Sequence, residues 1–389
     1  MITVFLIKKN IALFIILAIL ITGGIFIIVY NLISPSNFIA DNLDIELQYN
    51  AGNSYVYIKN QTNDIGYRIP GTNESKECIQ FFISKFHEID SNFSYYYHNF
   101  SVLGVNCSNI LFKLNKEKEH IIILGAHFDS RARATKDSGN INQPVPGAND
   151  GASGCAALIE LARIFYSKRD NLSAQIWFLF FDAEDQGIDQ SYGIYGWDWC
   201  EGSKRFVNQL DNFYNSNDEI IDCMILLDMI GGTGLEFINE QYSTSSLLEE
   251  IFAVGRALGY TLAFPSNPTL NSIIDDHKAF VDANIPSADL IINFWNNPSW
   301  PFHHTLNDTI NHISNESLTI TGKTIEQFVY NNYLDVPWNT YLGNYPWTSD
   351  KNLLNTEIIF QILILIGFVS VGIIIYLVYE HQKSKSANL

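Results

Sequence analysis

Three apolar runs in this chain stop in the same way. Ile121 to Leu124 leads through Gly125-Ala126 to His127 and Asp129. Gln175 to Phe181 ends in Asp182-Ala183-Glu184-Asp185, and Cys223 to Leu227 ends in Asp228. Short continuous runs rich in β-branched and aromatic residues read as strands buried on both faces. An acid or imidazole at the end of each strand then lies beyond the carboxyl edge of a sheet, where open α/β folds place their sites. The chain is thereby constrained to an α/β fold in which His127, Glu184, Asp185 and Asp228 converge.

Between the first two runs, Gly147-Ala148-Asn149-Asp150-Gly151 delivers a further acid at a helix start, and apolar residues recur at helical spacing from Ala156 to Phe165. Later, Asp275-Asp276-His277 opens a short helical stretch, and His303-His304-Thr305-Leu306-Asn307-Asp308 follows a Trp- and Pro-rich loop. Imidazole mixed with carboxylate suits zinc. The intervening sequence supplies an amphipathic helix over 75–89, with Ile79, Phe82, Ile83 and Phe86 on one face. One or two antiparallel strands are expected over 95–114, helices over 247–258 and 317–333, and a strand over 288–292. Residues 37–72, rich in Asn, Tyr and Gly, read as an extended entry segment. The expectation is an α/β fold with a mixed, mostly parallel central sheet sandwiched by helices.

Both ends carry long uncharged segments. Residues 11–33 follow Lys8 and Lys9, and residues 358–379 precede Lys383 and Lys385. Each is long enough to cross a hydrocarbon core of ~30 Å as a helix. The flanking lysines place residues 1–10 and 380–389 in the cytoplasm and residues 34–350, as one catalytic domain, on the other side. The aromatic, turn-rich stretch 335–350 then reads as a juxtamembrane linker with interfacial Trp and Tyr. Sequons such as those at Asn92 and Asn99 are compatible with an exterior domain. The formal charge is −18, and no long basic run is present. That argues against nucleic acid, which needs clustered cations. The five cysteines form no metal-binding CxxC, although Cys78 and Cys107 are a candidate pair in an oxidising compartment.

The blocks GAHFDSR, GANDGASG, FFDAED, LLDMIG, IDDHKAF and HHTLNDT, in this order, resemble the zinc metallopeptidase family of aminopeptidases and glutaminyl cyclases. The resemblance covers about Gly125 to Thr309. It implies Glu184 as general base and Asp150, Asp185 and His304 as ligands of one zinc. His127 and Asp228 match positions that hold a second zinc in two-metal members, where Asp150 bridges the ions. In those aminopeptidases water attacks the peptide carbonyl; in single-zinc cyclases the α-amine of an N-terminal Gln attacks its own side-chain amide. Peptide N-termini are the implied substrate in both. Asp275-Asp276 ahead of His277 is similar to the cyclase pattern, where Asp275 would share a proton with Glu184 or Asp228. Residues 199–203 and the loop 130–146 also look like bacterial cyclases. Cyclases usually have Trp before the last zinc-binding His, and this chain has His303; Trp295 or Trp300 is a candidate substitute. The expectation is a cyclase, with an aminopeptidase as the alternative. A non-catalytic ectodomain is the third reading, and no expected ligand is missing.

Overall fold

The computed structural model describes residues 45–189, 193–295 and 297–348, with a few isolated positions between 376 and 383. The chain divides into two compact units, of which Ile39–Ser349 is the one described below. The expected membrane spans at 11–33 and 358–379 lie almost wholly outside the described residues. Among the described residues, no helix is long and apolar enough to cross a membrane.

In chain order the elements are α1 (Ala51–Lys59), α2 (Asn73–Ile89), β1 (Ser94–Val102), β2 (Val105–Leu114), β3 (His120–His127), α3 (Ala152–Lys168) and β4 (Ala174–Phe181). There follow α4 (Glu201–Val207), β5 (Ile220–Asp228), β6 (Asn239–Glu240), α5 (Ser245–Ala257), β7 (Leu270–Asn271), α6 (Asp276–Asp282), β8 (Ser287–Ile291) and α7 (Asn315–Tyr333). Six strands form one sheet in the order β1-β2-β4-β3-β5-β8, and β6 pairs only with β7. β3, β4, β5 and β8 are parallel, while β1 and β2 add an antiparallel edge. The sheet is therefore mixed and mostly parallel, as the sequence leads one to expect.

Alternation along the strands builds two cores, because successive side chains point to opposite faces. Ile122, Leu124, Ile176, Phe178, Phe180, Ile225 and Leu227 join the larger core with residues of α1, α2, α3, α5 and α7. Ile121, Ile123, Trp177, Leu179, Phe181, Met224 and Leu226 face a smaller core closed by Phe206 of α4 and Phe280 of α6. α3 sits against the carboxyl ends of β3 and β5 because Gly154 has no side chain. A Cβ there would lie 2.0 Å from the Leu227 carbonyl oxygen. This close approach fixes Asp150, just ahead of α3, over the strand ends.

Several local expectations need correction. The 37–72 segment is not extended throughout: α1 begins after Asn50, whose Oδ1 accepts from Gly52 N at 2.9 Å. Its buried residues Ala51, Ser54 and Ile58 carry too little apolar signal for the helix to show in the sequence. Polar anchors compensate, with Asn53 Nδ2 donating to Glu160 at 3.0 Å. α2 starts ahead of Ser75 because Thr72 Oγ1 accepts from Ser75 N at 3.2 Å. The described part of the 335–350 stretch folds back onto the domain. Glu250 accepts from Tyr341 OH (3.1 Å), Asn344 N (2.7 Å) and Trp347 Nε1 (2.7 Å), and Trp347 is buried. Cys78 and Cys107 are free and buried, like the other three cysteines.

Candidate metal centre and its cleft

His127, the last residue of β3, is buried, as are Asp150, Asp185, Asp228, Glu184, Asp275 and His304. Its Nε2 lies 3.1 Å from Asp150 Oδ1 and 3.2 Å from Asp228 Oδ1. On the other side of Asp150, His304 Nε2 stands 3.8 Å from Asp150 Oδ2 and 3.0 Å from Asp185 Oδ1. The five ligand candidates named from the sequence thus form two groups that meet at Asp150, His127 with Asp228 on one side and His304 with Asp185 on the other. His303 Nε2 is also 3.9 Å from Asp150 Oδ2, a proximity the sequence does not announce.

The Glu184-Asp185 pair emerges where β4 stops. Ala183 adopts a left-handed φ of 61°, which turns the chain so that the adjacent acids diverge. Asp129 clamps the turn. Its carboxylate accepts from Glu184 N (3.0 Å), Asp185 N (3.1 Å) and Gln186 Nε2 (2.8 Å), with His127 Nδ1 at 3.5 Å. Arg131, also buried, donates to the Asp185 carbonyl (2.7 Å) and Oδ1 (3.1 Å), holding that side chain toward His304. Asp308 fixes the other ligand by accepting from Asn149 N (2.8 Å) and Asp150 N (3.1 Å). Cys200, Met229 and His304, at φ 57°, 49° and 58°, are also in left-handed conformations around the site. Strained residues of this kind gather where the surrounding structure holds them for function.

The electrostatics fit a divalent cation. Burial opposes a charged His127, but Asp129, Asp150 and Asp228 outweigh it and raise its pKa. The acids thus favour positive charge where they meet. Asp150 Oδ2 and Asp185 Oδ2 are buried and have no hydrogen-bond partner, which is costly unless something else engages them. Imidazole and carboxylate around such unpartnered oxygens are a zinc donor set. His304 Nδ1 in turn donates to Asp189 Oδ2 at 3.0 Å, the arrangement that fixes the tautomer of a ligating histidine. That hydrogen bond first, then the charge of His304, holds Asp189 near a pKa of about 2 despite burial.

Glu184 has a different environment. Its Oε1 accepts from Cys200 Sγ at 3.4 Å, and ligand atoms of Glu184, Cys200 and Asp275 all lie within 4.8 Å of one another. Burial, then the neighbouring Asp228, pushes Asp275 up to about 7. Asp275 Oδ1 accepts from Asp276 N at 2.6 Å, capping α6, and ligand atoms of Asp275, His277 and Asp289 lie within 4.8 Å of one another. His277, behind it, pairs with Glu240 Oε2 at 2.9 Å. His277 therefore joins a buried acid network and is not itself at the metal centre.

A cleft of about 310 Å³ opens onto these groups, lined by Lys136, Trp199, Asp189, Met229, Ser272, Ile273, Ile274 and His303 as well as the acids. Trp300 is not the substitute aromatic, being fully buried. Trp295 does not line the cleft either; it stacks on Phe294 at 3.8 Å. Trp199 supplies the indole instead, lying parallel to His304 with ring centres 6.0 Å apart. Asp189, Lys136 and Arg131 were not selected from the sequence. Arg131 and Asp308 sit inside recognisable blocks and Lys136 inside the cyclase-like loop 130–146, whereas Asp189 comes from a loop with no local signal.

The family model for peptidase family M28 matches residues 109–329, more than half of the chain. Among solved structures, the glutaminyl cyclase of Bacteroides thetaiotaomicron bound to N-acetylhistamine matches with a TM-score of 0.65. It is 30% identical over 74% of this chain and 99% of that one. A leucine aminopeptidase precursor from the same organism gives a TM-score of 0.64 and 31% identity, over 73% and 98%. Aminopeptidase YwaD of Bacillus subtilis is 28% identical over 56% of this chain and 42% of its own length. This chain thus spans less than half of that relative.

Proposed function

Because the chain belongs to peptidase family M28, we propose that it is a zinc-dependent enzyme acting on free peptide N-termini, specifically a glutaminyl-peptide cyclotransferase. The reaction converts an N-terminal Gln to pyroglutamate and releases ammonia. The observation that carries the choice is Asp275, a buried carboxyl within 4.8 Å of ligand atoms of Glu184 on one side and Asp289 on the other, and pushed up to about 7 chiefly by burial.

Cyclisation forms a bond from the α-amine nitrogen to the side-chain carbonyl carbon and breaks the bond from that carbon to the amide nitrogen. One proton leaves the amine and one joins the departing ammonia, so the net change is a transfer within the substrate. Glu184 is placed to take the first and deliver the second. Carboxylates as close as Glu184, Asp275 and Asp289 cannot all ionise together, so they hold a proton where the leaving group needs it. Asp150, Asp185 and His304 would hold the zinc, which supplies Lewis acidity toward the side-chain carbonyl. Positioning by the cleft contributes strongly, because the attack is intramolecular.

The aminopeptidase reading also has a specific observation in its favour. His127, Asp150 and Asp228 bring ligand atoms within 4.8 Å of one another, close enough to hold a second cation, and Glu184 would then take a proton from water attacking the peptide bond. Asp275→Asn tests the choice, since it keeps shape but removes the shareable proton. Zinc content should remain, and turnover of a Gln-initiated peptide should fall by ~10² or more. Turnover at the parent rate would move the proposal to the aminopeptidase. The topology remains part of the proposal on sequence grounds alone: spans at 11–33 and 358–379, both termini cytoplasmic and the catalytic domain outside. Protease added to intact cells should then spare a tag at residue 389; a digested tag would contradict it.

A further inference from the structure

The cleft is lined by six acids, Asp150, Glu184, Asp185, Asp189, Asp228 and Asp275, and Lys136 is the only Lys or Arg among its described lining residues. Lys136 stands at the mouth. Its side chain is 31% exposed, whereas that of Asp150 is 5% exposed. Nζ donates to His303 Nδ1 at 2.5 Å and lies 5.2 Å from the centre of the Phe294 ring. Its ion pair with Asp189 is loose at 4.0 Å, and that carboxylate already accepts from His304. Arg131 is committed inward to Asp185 and the Gly187 carbonyl. An ammonium has three donors; the Nζ of Lys136 gives one to His303 and faces Asp189 at 4.0 Å, and the residue lines the cleft. The backbone of Lys136 is pinned as well, its N–H donating to the His304 carbonyl at 3.2 Å. The cation is thus held in register with the candidate metal centre.

A peptide whose first residue sits at Glu184 and the metal ligands must leave through this mouth, so its second residue passes Lys136 and His303. We infer that Lys136 and His303 form a carboxylate subsite, selecting peptides with an acidic second residue or, in a dipeptide, the free C-terminal carboxylate. The inference rests on the reading of the cleft as a peptide N-terminus site. His303 stands where the cyclase pattern has Trp, so a ring nitrogen and a cation replace a flat apolar wall at this position.

The test uses full-length zinc-loaded Glu184→Gln enzyme, in which turnover of the ligand is slowed by ~10² or more, and calorimetric Kd values. The probes are Gln-Glu amide, the neutral Gln-Gln amide, and Gln-Ala as free acid and as amide. A charge-assisted contact at a partly exposed site should make Gln-Glu amide bind about tenfold tighter than Gln-Gln amide. The two Gln-Ala forms report whether a C-terminal carboxylate reaches the same place. Adding Lys136→Met should reduce each preference to about twofold or less, and Lys136→Arg should keep most of it. Indiscriminate binding by the parent, or a preference that survives Lys136→Met, overturns the subsite. So does equal weakening of all four peptides by Lys136→Met, which would mark a purely structural lysine. Failure of every peptide to bind instead overturns the N-terminus reading itself, and the subsite with it.

Discussion

Replacing Asp129 with Ala should damage this site more broadly than loss of any one ligand. The residue is fully buried, and its carboxylate accepts from Glu184 N, Asp185 N and Gln186 Nε2 at 3.0, 3.1 and 2.8 Å. Alanine leaves three buried donors without an acceptor, each costing about 1–3 kcal/mol. Partial relaxation and entry of a water return some of that. A net loss of about 3–6 kcal/mol is expected, a large share of the ~5–15 kcal/mol typical of a domain. The same change frees the turn that aims Asp185, so zinc affinity should fall by about 10- to 100-fold, as for other residues that orient metal ligands. Urea unfolding of zinc-free protein reads the first quantity, and competition with a chelating dye reads the second. Asp129→Asn, which keeps one acceptor oxygen but sets an NH₂ against N–H donors, should fall between Ala and the parent. If Asp129→Ala unfolds within about 1 kcal/mol of the parent and binds zinc as tightly, the clamp described here does not hold the site.

Other expectations follow from single residues. Glu184→Gln should keep its zinc and lower kcat by ~10² or more with little change in substrate affinity; loss of zinc would make Glu184 a ligand and reverse its division of labour with Asp185. His98, on β1, accepts from Asn109 Nδ2 at 3.0 Å, and burial chiefly lowers its pKa from 6.5 to about 4. The unfolded chain therefore binds the extra proton first. The stabilisation is full above pH 6.5 and is lost as pH falls toward 4, an effect of about 2 kcal/mol after discounting for solvent. Across that window the parent should lose about 2 kcal/mol relative to His98→Gln in denaturation curves; parallel curves would show that His98 is not the titrating group.

The central strands and the acids that end them were readable because continuous apolar runs such as Gln175 to Phe181 admit few alternatives. What remained hidden depends on contacts distant in sequence. α1 is held by Glu160, contributed from α3, and the 341–347 strap is recruited by Glu250 of α5. Neither acid differs in sequence from a solvated one. Trp199, Trp295 and Trp300 are equivalent as letters, yet one lines the cleft, one stacks outside it and one is fully buried. Asp189 reaches His304 across a sequence separation of 115 residues, so no local spacing could have paired them. The different roles of Glu184 and Asp185, by contrast, follow from the family resemblance of the block FFDAED. The left-handed Ala183 before them is the physical means.

The claim at the centre of this account is that Glu184 and Asp275 move a proton within an N-terminal glutamine. The most direct measurement is mass spectrometry of a Gln-initiated and a Leu-initiated peptide after incubation with the zinc-loaded enzyme. Loss of ammonia from the first, with the second intact, is the predicted result. Release of free leucine from the second, with no loss of ammonia from the first, would contradict it and identify an aminopeptidase.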